Sequence, residues 1–336
     1  MSQARGAFLK SIPLDWLLAG EPHVRYRTLL DLLNRPHTDA QVLAAKRAIP
    51  RHKPIRQLFA RQNKQGYWGT AKDIYTWWPK KDTTFWLLGM LADFGLRKNN
   101  RRITAACDYV FSTQHASGAF GWAPPPTSAE CFTGILVEAL ARLGYADDPR
   151  LHNAYAWLAS RQRRDGGFWC KNTGQPGMSR ESEPSCPFAT LCVLGALSQN
   201  PAHRNSELAG RAVDFMLTCW EHRGTIKYAG HDSEIGTGWD KLKYPFTDYR
   251  ILRYLDVLSQ FPAARADPRT LQVLAVLEAK RDAQGRCRPE STHKVWSDFD
   301  FGQKASPSRW VTLLAWRIMR RLSGLRRVAE TALDPT

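Results

Sequence analysis

Residues 161–170 read RQRRDGGFWC, and this stretch decides the fold because the chain repeats it. Within it, Gln162 is followed four residues later by Gly166 and then by the aromatic residues Phe168 and Trp169. The two other clear copies are RQNKQGYWG, with Gln62, Gly66, Tyr67 and Trp68, and TQHASGAFGW, with Gln114, Gly118, Phe120 and Trp122. Weaker echoes place Trp220 before Gly224 and Lys280 before Gly285. Turns of this kind, 48 to 61 residues apart, predict a repeat of helical hairpins.

The residue types in this stretch suit a link between neighbouring hairpins. A glycine just past the end of a helix can adopt the left-handed conformation that caps the helix. The glutamine side chain can reach backbone groups of a neighbouring turn, and the aromatic ring can lie over the next helix. An ordinary helix end with a buried ring explains a single copy, whereas three copies in register favour a repeat.

Between these turns, strongly apolar helical segments alternate with amphipathic ones, and no segment shows the period of a strand. A helix that is apolar on every side must be buried, whereas an amphipathic helix can cover it and face water. The apolar segments begin near Asp82, Glu130, Cys186, Phe246 and Ser308, and an N-terminal helix can supply one more. The pattern predicts an all-α fold, an α/α toroid of about six inner and five to six outer helices. The alternative is an open right-handed solenoid of helix pairs.

The toroid is expected to form one domain over residues 23–323. An N-terminal extension, residues 1–22, would precede it, and a C-terminal tail, residues 324–336, would follow it.

Charge and cysteine content limit the partners and the compartment. The 336 residues include 48 Lys and Arg against 31 Asp and Glu, and the formal net charge of +17 favours anionic partners. The basic C-terminal segment WVTLLAWRIMRRLSGLRR carries an apolar stripe, so it suits either an anionic membrane surface or a packed terminal helix. Nucleic acid is not expected, because no motif clusters aromatic with basic residues. The 7 cysteines are scattered without a CxxC, which indicates a reducing, cytoplasmic location, with membrane contact at most peripheral.

The turns resemble the repeats of the squalene cyclase and protein prenyltransferase β-subunit superfamily. The resemblance is carried by GYWG at 66–69, GAFGW at 118–122 and GGFWC at 166–170, and it extends over most of the chain. It implies a ring of inner helices around an apolar cavity, chemistry at one rim of that ring, and an isoprenoid or other apolar ligand. The repeat is more informative about the fold than about the reaction.

The resemblance also implies an acid at the start of an inner helix, because class II cyclases protonate an alkene or epoxide with such a group. Residues 128–133 read SAECFT, which is similar to the S-D-C-T-A-E pattern of oxidosqualene-type members with Glu130 in place of the acidic Asp. Glu130 and, at the preceding inner helix, Asp82 are therefore the candidate catalytic acids. Glu130 is also explained as an acidic residue that complements the dipole at a helix start, and Asp82 is also explained as a plausible N-cap of its helix.

A zinc site is the other chemistry that the superfamily offers. The D-x-C motif of the prenyltransferases is absent, but Cys131, Cys170, Cys186 and His231 could supply thiolate and imidazole ligands at one rim. Cysteine is also a common small core residue, so the set is equally open to a packing interpretation.

A group of aromatic residues could line the cavity and stabilise a carbocation through their ring faces. The candidates for ligand contact are Trp77, Trp78, Trp86, Phe132, Trp239, Tyr249 and Trp310. Packing is the alternative role for each ring. Three functions stay open: an acid-initiated terpenoid cyclase, a zinc-dependent prenyltransferase-like enzyme, and a non-catalytic toroid that binds a lipid or a peptide.

Overall fold

The computed structural model describes residues 11–71, 75, 82–121, 130–169, 184–226, 238–246 and 250–332, with side chains as far as Ser323. These residues form helices joined by turns and loops. In chain order the α-helices are α1 Leu14–Leu18, α2 Pro22–Arg27, α3 Ala40–Ala48, α4 Lys53–Ala60, α5 Thr84–Phe94, α6 Arg101–Ser112, α7 Glu130–Leu140, α8 Pro149–Ala159, α9 Pro187–Leu197, α10 Pro201–Arg204, α11 Glu207–Glu221, α12 Ile251–Leu258, α13 Pro262–Ala266, α14 Pro268–Glu278 and α15 Arg309–Ala332. A π-helical turn, Thr28–Leu32, extends α2, and another, Ala141–Tyr145, extends α7.

Within the described part of the chain, six helices form a closed inner ring: α2, α5, α7, α9, α12 and α15. Each packs against the next, and α15 returns to pack against α2. Outside them, α6 lies on α5, α8 on α7 and α9, α11 on α9, and α14 on α12 and α15. The closure of the ring confirms the α/α toroid and excludes the open solenoid.

The inner helices are buried because they are apolar on every side. All eleven residues of α9 are buried, and ten of the eleven residues of α5 are buried. The inner helices α7 and α9 approach each other closely where Gly134 faces the backbone of Cys192. A Cβ at Gly134 would lie 2.7 Å from the Cys192 carbonyl carbon, so only glycine permits this packing.

The repeat turns join the hairpins through their glutamines, as predicted. Gln162 Nε2 donates to Gly166 O of its own turn at 2.9 Å and to Leu208 O, in the first turn of α11, at 2.8 Å. Gln62 and Gln114 repeat this pair of bonds, to the first turns of α6 and α8. Each glutamine therefore ties its own repeat turn to the start of the outer helix that follows.

The repeat glycines adopt positive φ, as predicted, but they do not cap the preceding helices. Gly66, Gly118 and Gly166 have φ of 100°, 93° and 85°. In the third copy the helix ends at Ala159, and the Gly166 N–H donates to Arg163 O within a separate tight turn. The glycine is required because this turn presses against the outer helix that follows, where a Cβ would overlap the backbone.

Two predicted helix starts are corrected. Asp82 was a plausible N-cap of α5, but Thr83 occupies the N-cap position and makes no side-chain capping bond. Asp82 turns instead toward Arg61, whose Nε lies 2.5 Å from Asp82 Oδ1. The fourth apolar segment was expected to begin near Phe246, whereas α12 begins at Ile251.

Both ends of the described chain contact the toroid. In the predicted extension, Ile12 and Leu17 are buried in the core, and Trp16 O accepts a hydrogen bond from Arg309. At the other end, α15 runs without interruption from Arg309 to Ala332, past the predicted boundary of the tail. No helix in the described residues is long and apolar enough to cross a membrane.

Candidate functional site

The interior of the ring contains a set of buried ion pairs, which we call the ion-pair layer. Its members come from four inner helices and are Asp93, Glu138, Arg142, Arg253, Asp256 and Arg317. Both Glu138 oxygens accept hydrogen bonds from the Arg253 guanidinium, and Arg142 binds Asp93 at 2.6 Å. Gly195 of α9 faces the Glu138–Arg253 pair, and a Cβ there would overlap both side chains. The layer links inner helices that are far apart in sequence.

Two carboxylates of this layer, Glu138 and Asp256, are held in their ionised form. Burial alone would raise the pKa of Glu138, but Arg253 and Arg142 offset burial and bring that pKa below its ordinary value. Burial of Asp256 is offset in the same way, because Arg317 and Arg321 hold its pKa well below the ordinary value. An ionised carboxylate has no proton to give, so neither Glu138 nor Asp256 can serve as the acid of a class II reaction.

The ion-pair layer was missed by the sequence analysis, although a signal was present. Asp93 and Glu138 each stand within an otherwise apolar helical segment, TFWLLGMLADF and ECFTGILVEAL. A charge inside a helix that is apolar on every side must be paired, because an isolated buried charge costs several kcal/mol or more. Matching such acids with the arginines of α12 and α15 would have placed charge in the centre of the ring.

A small cavity, which we call the aromatic cavity, lies on the side of this layer toward the start of the inner helices. Its volume is about 50 Å³. The walls that face away from the layer include Phe85, Trp86, Met90, Ile135 and Phe246. Its floor is formed by Asp93, Glu138, Arg142 and Arg253 of the ion-pair layer, and the Tyr244 hydroxyl donates to Asp93 Oδ2 at 2.8 Å. The cavity is therefore apolar on its sides and ionic at its base.

Glu130 lies at the first position of α7, as predicted, and is buried with 1 % of its surface exposed. Its Oε1 accepts a hydrogen bond from Arg161 Nε at 3.1 Å, and its Oε2 has no hydrogen-bond partner among the described residues. Burial raises the pKa of Glu130, although Arg161 and Arg163 partly oppose that rise. A buried carboxyl with a raised pKa and a free oxygen has the properties of a proton donor.

Asp82 is more exposed than Glu130, but each of the two acids binds an arginine. Its side chain is 47 % exposed, and it binds Arg61, the residue before the repeat glutamine Gln62. Arg161, which binds Glu130, also precedes a repeat glutamine. Both acids therefore make the same contact with an arginine of the repeat turn at the start of an inner helix. Of the two, Glu130 is the better candidate for the catalytic acid because it is buried.

The predicted aromatic residues fall into separate groups. Trp86 lines the aromatic cavity, and Phe132 joins it through Phe85, whose ring centroid lies 5.3 Å from that of Phe132. Trp239 packs on Trp220 and Tyr254, and Trp310 packs on Phe94 and Tyr244. Trp77, Trp78 and Tyr249 lie outside the described residues. The structure thus brings Trp86 and Phe132 together and places Trp239 in a different cluster.

The structure describes two of the four predicted zinc ligands. Cys131 and Cys186 are buried at the starts of α7 and α9, whereas Cys170 and His231 lie outside the described residues. Cys186 Sγ accepts the Ala189 N–H, which is an N-cap contact. Among the residues that the structure describes, no three His, Cys, Asp or Glu side chains form a metal-binding group. Cys131 and Cys186 alone do not make a zinc site, and the set of four stays a prediction.

A buried histidine and a buried aspartate near the start of α15 were also missed. His23 packs on Phe94 and Trp310, and neither of its ring nitrogens has a partner among the described residues. Burial, with a contribution from His52, lowers the pKa of His23 well below its ordinary value. Burial and the Glu21 carboxylate raise the pKa of Asp300 to about 6, while its Oδ2 accepts from Ser308 Oγ at 2.9 Å. This pair lies outside the walls of the aromatic cavity.

Comparison with protein families gives a match to the squalene-hopene cyclase C-terminal domain over residues 72–263, more than half of the chain. The chain belongs to this family. The match spans α5 to α12 and so contains the aromatic cavity and most of the ion-pair layer. No curated protein matches the sequence.

Solved structures that are similar to this chain include an Actinoplanes protein, which is 14 % identical, with coverage of 95 % of this chain and 99 % of that chain and a TM-score of 0.46. The type II terpene cyclase MstE from Scytonema is 14 % identical, and the match covers 91 % of this chain and 88 % of that chain with a TM-score of 0.45. A polysaccharide lyase is 9 % identical, and the match covers 97 % of this chain and 99 % of that chain with a TM-score of 0.47. At these values the likenesses say nothing about the substrate or the reaction of the squalene-hopene cyclase-type domain described here.

Proposed function

We propose that this squalene-hopene cyclase-type protein binds an apolar ligand of the isoprenoid class in the aromatic cavity. The observation that supports the proposal is the wall of Phe85, Trp86, Met90 and Phe246 above an ionic base. Such a wall offers dispersion contacts and ring faces to a branched hydrocarbon chain, whereas the base stops the chain from passing deeper. The ligand enters from the rim at which the inner helices begin.

Entry of the ligand requires movement of the segment 242–246. The cavity of about 50 Å³ is far below the roughly 300–1,000 Å³ of ordinary ligand sites. Tyr244, Pro245 and Phe246 form one of its walls, and Tyr244 is held by its bond to Asp93. Outward displacement of this segment enlarges the cavity without breaking the Glu138–Arg253 pair.

A second candidate function, acid-initiated cyclisation, is favoured by the burial and raised pKa of Glu130. Glu130 is not among the residues that line the aromatic cavity, so this function requires the ligand to extend beyond the cavity to the start of α7. In this reaction the Glu130 O–H bond breaks, and its proton forms a new C–H bond at an alkene carbon of the ligand. The electron pair of the alkene supplies that bond and leaves a carbocation, while the Glu130 carboxylate is stabilised by Arg161 and by the start of α7. Ring closure and loss of a proton from carbon would return the proton to the enzyme.

Binding and turnover can be tested together with purified full-length protein. Squalene and geranylgeranyl diphosphate are added separately in detergent, tryptophan fluorescence reports binding near Trp86, and mass spectrometry of the extracts reports products. Ligand binding should quench the emission, and Trp86→Ala should lower the affinity by roughly tenfold, as expected for the loss of one large ring contact. Absence of any quenching by either compound would refute the isoprenoid proposal.

Glu130→Gln separates the two candidate functions, with Asp82→Asn as the matched control. If Glu130 is the acid, Glu130→Gln should bind normally but lose product formation by a factor of roughly 100 or more, and Asp82→Asn should keep it. Binding with no product in any variant supports the non-catalytic toroid. Equal product from wild type and Glu130→Gln would show that Glu130 does not initiate the reaction.

A further inference from the structure

The end of the toroid at which the inner helices finish contains a second cavity, which we call the arginine cavity. Its volume is about 260 Å³. It lies across the ion-pair layer from the aromatic cavity, because its walls use Gly95 after α5, Ala141 after α7 and Gln260 after α12. Its charged wall residues are Arg27, Arg97, Arg142, Arg317, Arg321 and Asp256. The proposed isoprenoid site does not account for this cavity.

The charges around the arginine cavity do not balance. The carboxylates paired to its arginines are Asp31, Asp93, Glu138 and Asp256. Glu138 also binds Arg253, so these four carboxylates face six guanidinium groups, which leaves an excess of two positive charges. Such an excess in a partly enclosed cavity favours entry of a dianion.

Some hydrogen-bond donors in this cavity also lack an acceptor. Arg27 Nε and Arg317 Nε are buried, and neither has a hydrogen-bond partner among the described residues. A buried donor without an acceptor is costly, and an unplaced anion or water is the usual explanation. Arg97 stands exposed among the wall residues, where it can close over a bound group.

The size and the donor type narrow the ligand chemistry. A volume of about 260 Å³ corresponds to about nine water molecules at about 30 Å³ each, enough for a phosphate or diphosphate with its hydration. Guanidinium groups present paired N–H donors that match the oxygens of phosphate. Asp256 keeps Arg317 and Arg321 in place through contacts of 2.9 Å to each, so the donors are organised before the ligand arrives.

We propose that the arginine cavity is a binding site for a phosphate-class dianion, either free in solution or as the head group of a larger ligand. The site is distinct from the aromatic cavity and does not depend on the isoprenoid proposal. The anion neutralises the excess charge and accepts from the buried Nε donors, so it should also stabilise the closed ring.

Calorimetric titration of the full-length protein with inorganic diphosphate, at low ionic strength and without any isoprenoid, tests the site. Wild type should show saturable one-site binding and a rise in melting temperature. Arg97→Glu should weaken binding by roughly tenfold or more, because it replaces a donor at the cavity with a repelling charge. Arg97 is exposed, so this variant should fold, which circular dichroism can verify.

The matched control is Arg102→Glu, which changes the net charge equally at an exposed position of α6 away from the cavity wall. It should alter the affinity by less than about twofold, since exposed charges at a distance are screened. Absence of saturable binding, or equal weakening by Arg97→Glu and Arg102→Glu, would overturn the proposal. In either case the fluorescence test with squalene is unaffected, so the two proposals fail separately.

The source of the phosphate is resolved by a second titration with vesicles. Vesicles of phosphatidylcholine with and without phosphatidic acid are compared, using wild type, Arg97→Glu and Arg102→Glu. If phosphatidic acid binding depends on Arg97 and competes with free diphosphate, the site accepts a lipid head group. If diphosphate alone binds in an Arg97-dependent way, the ligand is a soluble anion.

Discussion

At the scale of single residues, the repeat glutamines connect neighbouring hairpins through their side-chain amides. Gln62, Gln114 and Gln162 each donate from one amide nitrogen to two carbonyls, one in their own turn and one in the first turn of the next outer helix. A glutamine is suited to this position because one uncharged amide group supplies both donors.

Replacement of Gln162 by methionine should destabilise the protein by about 1–3 kcal/mol, because the Gly166 and Leu208 carbonyls lose their donor while the side-chain volume is kept. Urea denaturation followed by circular dichroism measures this change. Gln41→Met in α3 is the control, since Gln41 is exposed and its replacement should shift stability by less than about 0.5 kcal/mol. Equal losses of stability in Gln162→Met and Gln41→Met would show that the Gln162 hydrogen bonds do not stabilise the repeat.

The glutamine contacts could be predicted from the sequence, whereas the threonine contacts of the same turns could not. Gln162, Gly166 and Phe168 stand at fixed spacing within ten residues, so the pattern is visible locally. The partner of the Phe168 N–H is Thr190 Oγ1, at 2.9 Å and 22 residues away, across residues 170–183, which lie outside the described part. Because the number of residues between the turn and its threonine differs from one repeat to the next, a pattern based on fixed spacing cannot predict this contact.

At the scale of elements, these threonines dock the repeat turns on the inner helices. The N–H of Trp68, Phe120, Phe168 and Cys287 donates to Thr84, Thr133, Thr190 and Thr312 respectively. Each threonine is fully buried in the first turn or two of an inner helix. The bond satisfies a buried backbone donor of the turn, so it fixes the height of the turn along the inner wall.

Thr190→Val should cost about 1–3 kcal/mol, because the valine keeps the shape but leaves the Phe168 N–H unsatisfied in the core. Thr190→Ser keeps the hydroxyl and loses only a methyl group, so it should cost about 1 kcal/mol. Hydrogen exchange gives an independent readout, since the Phe168 amide should exchange faster in the valine variant and not in the serine variant. Unchanged protection in Thr190→Val would show that this bond does not hold the turn.

At the scale of the whole molecule, the sequence was sufficient for the ring but not for its contents. Alternating apolar and amphipathic segments predicted the closed toroid because burial follows from side-chain polarity alone. The resemblance to the cyclase superfamily implied an apolar cavity at the centre, whereas the described centre holds the ion-pair layer with cavities of about 50 and 260 Å³ on either side. Glu138 and Arg253 are 115 residues apart in the sequence. Their pairing depends on which helices face one another across the ring, so it could not be predicted from the local sequence pattern.

The ion-pair layer therefore makes a prediction about the molecule as a unit. Arg253→Met should destabilise the toroid by about 3–5 kcal/mol at neutral pH, because Glu138 remains buried and loses its main partner. The double variant Glu138→Met/Arg253→Met removes both charges and should recover most of that loss. Urea denaturation of the single variants, the double variant and wild type gives the coupling energy directly.

The pH dependence of the same variants gives a second readout with a definite sign. In wild type the pKa of Glu138 is lowered, so its contribution to stability is present above the unfolded pKa and is lost as pH falls through the folded one. In Arg253→Met, burial is opposed by Arg142 alone, so the pKa of Glu138 should rise and ionisation should oppose folding as pH rises. The destabilisation caused by Arg253→Met should therefore be smaller near pH 5 than near pH 7, whereas that of the double variant should change little. A double variant whose loss equals the sum of the two single losses at both pH values would show that the pair does not act as a unit.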